Sequence, residues 1–148
     1  MRILILSVGN RLRRDDGVAH YVVNLLKRTT GVQTRAVFQL TPDLAQEIAD
    51  FDAILFIDAD ASAAAVSLER LEPSMAHAPT LTHVSQPAEV VELSRVLFGF
   101  NGKAYLCRIP VEDLSAGEGL SLRAAAFSEV ALSRIEEFVA QVECAATA

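Results

Sequence analysis

Cysteine is scarce in this chain. Cys107 and Cys144 are the only two, they form no Cys-x-x-Cys pair, and Cys144 sits in an Ala-rich tail. Such usage argues against a disulfide framework and fits a reducing cytoplasm. Long apolar runs are missing too. Although 51% of the residues are hydrophobic, no run approaches the ~20 residues that a membrane-spanning helix requires. The opening segment Met-Arg-Ile-Leu-Ile-Leu-Ser-Val carries one basic residue, but its apolar stretch is too short for a secretory signal and no small-residue cleavage pattern follows. It reads better as a buried strand. Positive charge is thin: the net charge is −6, and no Lys/Arg cluster exceeds Arg11, Arg13 and Arg14. The field of such a molecule repels nucleic acid and anionic lipid, so the expected partner is a protein or a small molecule.

Several chemistries are also missing. There is no Gly-x-x-x-x-Gly-Lys loop, no His-Glu-x-x-His and no Gly-x-Ser-x-Gly elbow. The first strand-to-helix turn, Ser7-Val8-Gly9-Asn10-Arg11-Leu12, lacks the three glycines of a dinucleotide fingerprint. Asp15 and Asp16 stand where the next helix begins, so carboxylates occupy the positive pole that a phosphate would use.

What is present is an alternation of short apolar runs and helical periods. With 148 residues the chain has the length of one ordinary domain, expected over 1–148, with a core that needs no staple. Ile3 to Val8 suits a central parallel strand covered on both faces. Val18, Tyr21, Val22, Leu25 and Leu26 follow helical spacing, and Val32 to Leu40 reads as a second strand. Thr41 is then placed to cap a short helix with Pro42 at its first position and Leu44 and Ile48 inward. Ala53 to Ile57 is a third strand, ending on Asp58-Ala59-Asp60, and Val66 to Leu71 has the alternation of an edge strand. Ser85 would cap a helix whose Val90, Leu93 and Leu97 share a face before Gly99 stops it. Ala104 to Ile109 makes a late strand, and Ser121 opens a terminal helix with the stripe Phe127, Ala131, Ile135, Phe138 and Val142. The expected architecture is an α/β three-layer sandwich, a mostly parallel, twisted five-stranded sheet with helices on both faces.

In such sheets ligands sit beyond the carboxyl ends of the strands, where strand order reverses. If strands one and three flank that point, Asp15, Asp16, Asp58 and Asp60 converge on one crevice. Two carboxylates at strand ends and a loop histidine suit a borderline to hard divalent metal with open positions. Each also has an ordinary reading: Asp15 or Asp16 as a helix cap, Asp58 as a strand end bonded to a loop amide, His83 as a solvated loop residue. His20, on the first helix, is expected at the surface, and His77 in a loop beside Pro79; both read as incidental.

The segment Gly9-Asn10-Arg11-Leu12-Arg13-Arg14-Asp15-Asp16-Gly17-Val18 resembles the Gly-Asn-x-Leu-x-x-Asp-Asp-Gly signature of the hydrogenase maturation endopeptidases. Ile57-Asp58-Ala59 is similar to their hydrophobic-Asp-Ala strand end, and Thr82-His83 falls where they place a histidine before a helix. Gln39-Leu40-Thr41-Pro42-Asp43-Leu44 and Gly117-Glu118-Gly119-Leu120-Ser121 resemble segments of one branch of that family. Ser7 and Ala19 depart from it, standing where it usually has glycine. The resemblance implies an aspartyl-type, metal-dependent endopeptidase that removes the C-terminal extension of a nickel-loaded nickel-iron hydrogenase large-subunit precursor. It implies Asp16, Asp58 and His83 as catalytic, metal-contacting residues, and nickel supplied by the precursor. Asp15 or Asp60 is then a candidate proton acceptor, and the Arg11, Arg13 and Arg14 loop either contacts the cleaved extension or is simply solvated. A cytoplasmic monomer is expected. The alternative is a non-proteolytic metal-dependent binding or chaperone protein of the same fold; a small-molecule enzyme using the same crevice is disfavoured by the missing motifs.

Overall fold

A computed structural model describes residues 1–26, 30–72 and 86–147. Five strands form one sheet: β1 (Ile3–Val8), β2 (Val32–Val37), β3 (Ala53–Asp60), β4 (Ser67–Leu71) and β5 (Lys103–Pro110), in the spatial order β2-β1-β3-β5-β4. All neighbours are parallel except β4, which pairs antiparallel with β5 at the edge. The helices are α1 (Val18–Leu25), α2 (Leu44–Ile48), α3 (Pro87–Phe98) and α4 (Leu122–Thr147), with a 3-10 turn over Arg14–Gly17.

The pleat sorts the strand residues into two cores, because successive side chains point to opposite faces. Ile3, Ile5, Leu55 and Ile57 meet Val18, Val22, Ala131, Ile135 and Phe138 of α1 and α4. Leu4, Leu6, Ile54 and Phe56 meet Leu44, Ile48, Val90 and Val91 of α2 and α3. Helices therefore cover both faces, and β1 and β3 are buried throughout their apolar lengths, as their unbroken aliphatic runs require. The chain goes from β1 to one side for β2 and returns to the other side for β3, which puts the reversal of strand order between β1 and β3. Among the described residues no helix is long and apolar enough to cross a membrane.

Four local expectations are corrected. β2 stops at Val37 rather than Leu40, since beyond it the chain turns inward to bury Leu40. The side chain of Thr41 does not cap α2 but donates to the carboxylate of Asp43, while the Thr41 carbonyl accepts from Leu44 N at 3.2 Å. On α1, Tyr21 and Leu25 face outward and His20 is buried. On α3 the inner face is Pro87, Val90, Val91 and Ser94; Leu97 lies outside at 61% exposure, beside the exposed Val96 and Phe98. Leu97 follows Val90 and Leu93 in spacing, but Gly99 ends the helix in the left-handed region (φ +71°) and the chain re-enters the core through Phe100 instead. The N-cap of α3 is Gln86; Ser85 lies outside the described residues.

Candidate functional site

Parity along β3 decides which way the acidic strand end faces. Asp58 and Asp60 continue the alternation of Ile54 and Phe56, on the α2/α3 side, with Arg108 of β5 directly beside Asp58. From β1, the chain leaves the sheet at Gly9 and returns as the 3-10 turn that carries Asp16. The two carboxylates meet in a cavity of about 150 Å³ at the carboxyl ends of β1 and β3, lined also by Val8, Gly9, Phe38, Leu40 and Pro87. This is the position that strand-order reversal designates for a ligand.

Gly9 is what lets the turn come so close. Its φ is +151°, and a Cβ there would lie 1.9 Å from the backbone oxygen of Asp16. The carboxylate of Asp16 is oriented locally, its Oδ2 accepting from Asn10 N–H at 2.9 Å. Neither Asp16 nor Asp15 caps a helix; no side-chain cap is made at the 3-10 turn or at α1.

The electrostatics of Asp58 are unusual for a strand-end carboxylate. Burial pushes the Asp58 carboxyl up, the charges of Asp16 and Asp60 add to the effect, and the Ala59 amide and Arg108 oppose it; the balance is a pKa of about 6 against an ordinary 3.8. Asp60 goes the other way. Its Oδ1 accepts the Ser62 hydroxyl at 2.6 Å and the Ser62 amide at 2.9 Å, which hold its carboxyl below the ordinary value. It lines an adjoining hollow of about 320 Å³ with Asp58, Gln86, Leu106 and Arg108.

Asp15 does not converge with the others. Its side chain is fully buried, accepting from Glu112 N (3.1 Å), Asp113 N (2.9 Å), Ser121 N (2.7 Å) and the Ser121 hydroxyl (2.7 Å). Burial alone would raise its pKa, but the bonds from Asp113, Ser121 and Glu112 together lower it. A carboxylate with its lone pairs so committed is a latch between the turn and the start of α4, not a base in the crevice. The two segments Gly9–Val18 and Gly117–Ser121 are joined here, with Arg14 N–H donating to Gly117 O (3.0 Å) and Gly117 N–H to Leu12 O (2.9 Å).

The basic loop also faces elsewhere. Arg11 and Arg14 line a hollow of about 310 Å³ with Gly17, Tyr21 and Glu118 that shares no residue with the Asp16–Asp58 cavity. A larger cleft of about 520 Å³ between β2, α1 and α4 likewise lies apart from the carboxylates, so size does not locate the site. His83 and His77 lie outside the described residues, among which no three His, Cys, Asp or Glu side chains gather as a metal site.

His20, expected at the surface, is 5% exposed and bonded on both ring nitrogens, Nδ1 to Ser7 Oγ (2.8 Å) and Nε2 to Gly9 O (2.7 Å). Ser7, at one of the two positions that depart from the glycine pattern, is fully buried and satisfied by this histidine; Ala19, at the other, is fully buried in the α1 core. One signal pointed there: Ser7 is a lone polar residue inside the aliphatic run of a central strand, and a buried hydroxyl needs a partner.

No protein-family model matches the sequence, and no curated protein matches it. Solved structures do match in fold. The hydrogenase maturating endopeptidase HybD from Escherichia coli superposes with a TM-score of 0.71 at 24% identity, covering 96% of this chain and 94% of that one. The NiFe hydrogenase maturation protease HybD from Thermococcus kodakarensis gives 0.71 at 21% identity, over 93% of this chain and 99% of that one. An uncharacterized protein from Wolinella succinogenes gives 0.69 at 25% identity, over 96% and 99%. The chain thus has the fold of the hydrogenase maturation endopeptidases over nearly its whole length.

Proposed function

We propose that this protein is an endopeptidase that removes the C-terminal extension of a nickel-loaded nickel-iron hydrogenase large-subunit precursor. The observation that carries the reading is the meeting of Asp16 and Asp58 in one cavity at the reversal of strand order. Asp16 comes from the segment that resembles the endopeptidase signature, Asp58 from the similar strand end, and the fold is shared with the Escherichia coli HybD structure. His83 completes the proposed set; it stands three residues before Gln86, which lines the same cavity.

Nickel here belongs to the substrate. Two carboxylate oxygens and one imidazole nitrogen suit a borderline divalent ion that keeps its other ligands on the precursor. Gripping that ion would recognise the loaded precursor and hold the adjoining peptide in the crevice at high effective concentration. The commitment of Asp15 to four hydrogen bonds removes it as proton acceptor. Asp60 is a weak base, its carboxyl held low by Ser62. The arginine loop, facing another hollow, is read as solvated rather than as a contact to the extension. The chain is read as one functional unit over 1–148, acting as a monomer in the cytoplasm.

The decisive experiment is mass spectrometry of a nickel-loaded large-subunit precursor incubated with wild type or Asp16→Asn. Loss of a C-terminal peptide with wild type only, and none from nickel-free precursor, is the expected result. A loaded precursor that is bound but left intact would overturn the proteolytic reading in favour of a metal-dependent binding protein.

A further inference from the structure

The buried histidine does more than fill space under α1. A carbonyl oxygen can only accept, so the 2.7 Å contact between His20 Nε2 and Gly9 O places a hydrogen on Nε2; in the neutral ring Nδ1 then accepts from the Ser7 hydroxyl at 2.8 Å. The carbonyl of Gly9 and the amide of Asn10 belong to one planar peptide group. On its far side that group's N–H donates to Asp16 Oδ2 at 2.9 Å. An unbroken chain of hydrogen bonds therefore runs from Ser7 on the central strand, through the imidazole and the Gly9–Asn10 peptide, to the carboxylate that lines the cavity.

Gly9, which precedes this peptide group, is held from other directions as well. The Gly9 amide donates to Val37 O at 3.1 Å, and the Gly9 Cα packs against the backbone of Asp16 so closely that no side chain fits. A glycine is the most pliable residue in the chain, free to rotate its following peptide plane. Rotation of that plane would withdraw the Asn10 N–H from Asp16. His20, itself fixed by Ser7 and by the surrounding core, clamps the carbonyl end of the plane, and hydrogen bonds in series polarise one another.

We propose that His20, oriented by Ser7, is a positioning residue for Asp16: it fixes and polarises the Gly9–Asn10 peptide whose N–H holds the Asp16 carboxylate toward Asp58. The consequence for turnover rests on the proteolytic reading above; the relay itself does not.

The test uses the full chain and reads both. By NMR, His20→Leu moves the Asn10 amide proton upfield and speeds its solvent exchange about tenfold, whereas His20→Gln, which restores an N–H donor, recovers most of the shift. Asp16→Asn moves the His20 Nε2–H resonance although the two side chains are separated by a peptide group, an effect that a histidine serving only as packing would not show. In precursor cleavage His20→Leu lowers kcat about tenfold with KM nearly unchanged, in the range seen for residues that orient a metal-contacting side chain. Should His20→Leu fail to fold, Ser7→Ala carries the test, with a smaller shift of both resonances in the same direction. Unmoved Asn10 and His20 resonances in folded Ser7→Ala and Asp16→Asn would overturn the relay. Failure of wild type to cleave the loaded precursor would sink the protease reading instead, and the resonances would still decide the relay.

Discussion

Asp15 accepts two hydrogen bonds from Ser121, from the amide to Oδ1 and from the hydroxyl to Oδ2, both at 2.7 Å. The same hydroxyl accepts from Ala124 N–H at 3.1 Å, so the start of α4 is capped and tied to the turn bearing Asp16 by one serine. Asp15→Asn turns an amide NH₂ toward donors and is expected to cost about 2–4 kcal/mol, from bonds to a charged acceptor lost in a buried site. Ser121→Ala removes a cap and the hydroxyl that donates to Asp15, and is expected to cost about 1–2 kcal/mol. Urea unfolding at pH 7 measures both. The Asp15 carboxyl is held below 3.8 in the fold, so its contribution is present above the unfolded value and is lost as pH falls through the folded one. The cost of Asp15→Asn should therefore shrink at strongly acid pH.

Asp58 has the opposite sign. Its folded pKa of about 6 lies above the ordinary 3.8, so the fold binds its proton more tightly than the unfolded chain does. The associated stability is full below 3.8 and is lost as pH rises towards 6. In metal-free protein, Asp58→Asn is expected to be more stable than wild type at pH 8 by about 1–2 kcal/mol, discounted for partial exposure, and to lose that advantage below pH 4. Carboxyl ¹³C NMR should show Asp58 titrating near 6, and Asp16→Asn should lower that midpoint. A midpoint near 4 in wild type would rule out the buried, charge-coupled pair.

Gly9→Ala tests the close approach that brings Asp16 to the cavity. With φ at +151° and the added Cβ 1.9 Å from the Asp16 backbone oxygen, the turn must move. A loss of about 2–4 kcal/mol in thermal or urea unfolding is expected, together with loss of precursor cleavage in whatever fraction folds. Gly99→Ala is the control. It shares a positive φ but meets nothing within 4 Å, so it should cost stability of about 1 kcal/mol and leave cleavage intact.

The two thiols should differ sharply in reactivity. Burial pushes the Cys107 thiol up to about 12, opposed by the charge of Arg134, whereas Cys144 is exposed. Since the thiolate is the nucleophile, iodoacetamide at pH 8 is expected to label Cys144 and to reach Cys107 only after urea unfolding. Peptide mass spectrometry reads the outcome; prompt labelling of Cys107 in native protein would contradict its burial.

Much of this architecture was legible in the residue order, for a physical reason. Buried parallel strands need aliphatic runs, and Ile3–Val8 and Ala53–Ile57 supply them; α4 needs an apolar stripe, and Ala131, Ile135 and Phe138 are buried where the stripe ran. The edge strand at Ser67–Leu71 was expected from alternation, yet its burial does not alternate: Leu68 packs on the α1/α4 core and Leu71 on the α2/α3 core. Spacing was less able to choose a helix face. On α1 the apolar positions Tyr21 and Leu25 point outward while His20 points in, because Ser7 and Gly9 satisfy its ring nitrogens. On α3, Leu97 follows the period of Val90 and Leu93 yet is left exposed.

Among the acidic residues, residue order alone singled out those that could matter: Asp15 and Asp16 after a glycine turn, Asp58 and Asp60 at the end of an apolar strand. It could not separate adjacent carboxylates, since covalent neighbours share a sequence context but not a direction. That Asp16 turns to Asp58 while Asp15 turns to Ser121 is settled in three dimensions, because the choice depends on where the start of α4, more than a hundred residues away in the chain, offers an amide and a hydroxyl to a buried charge.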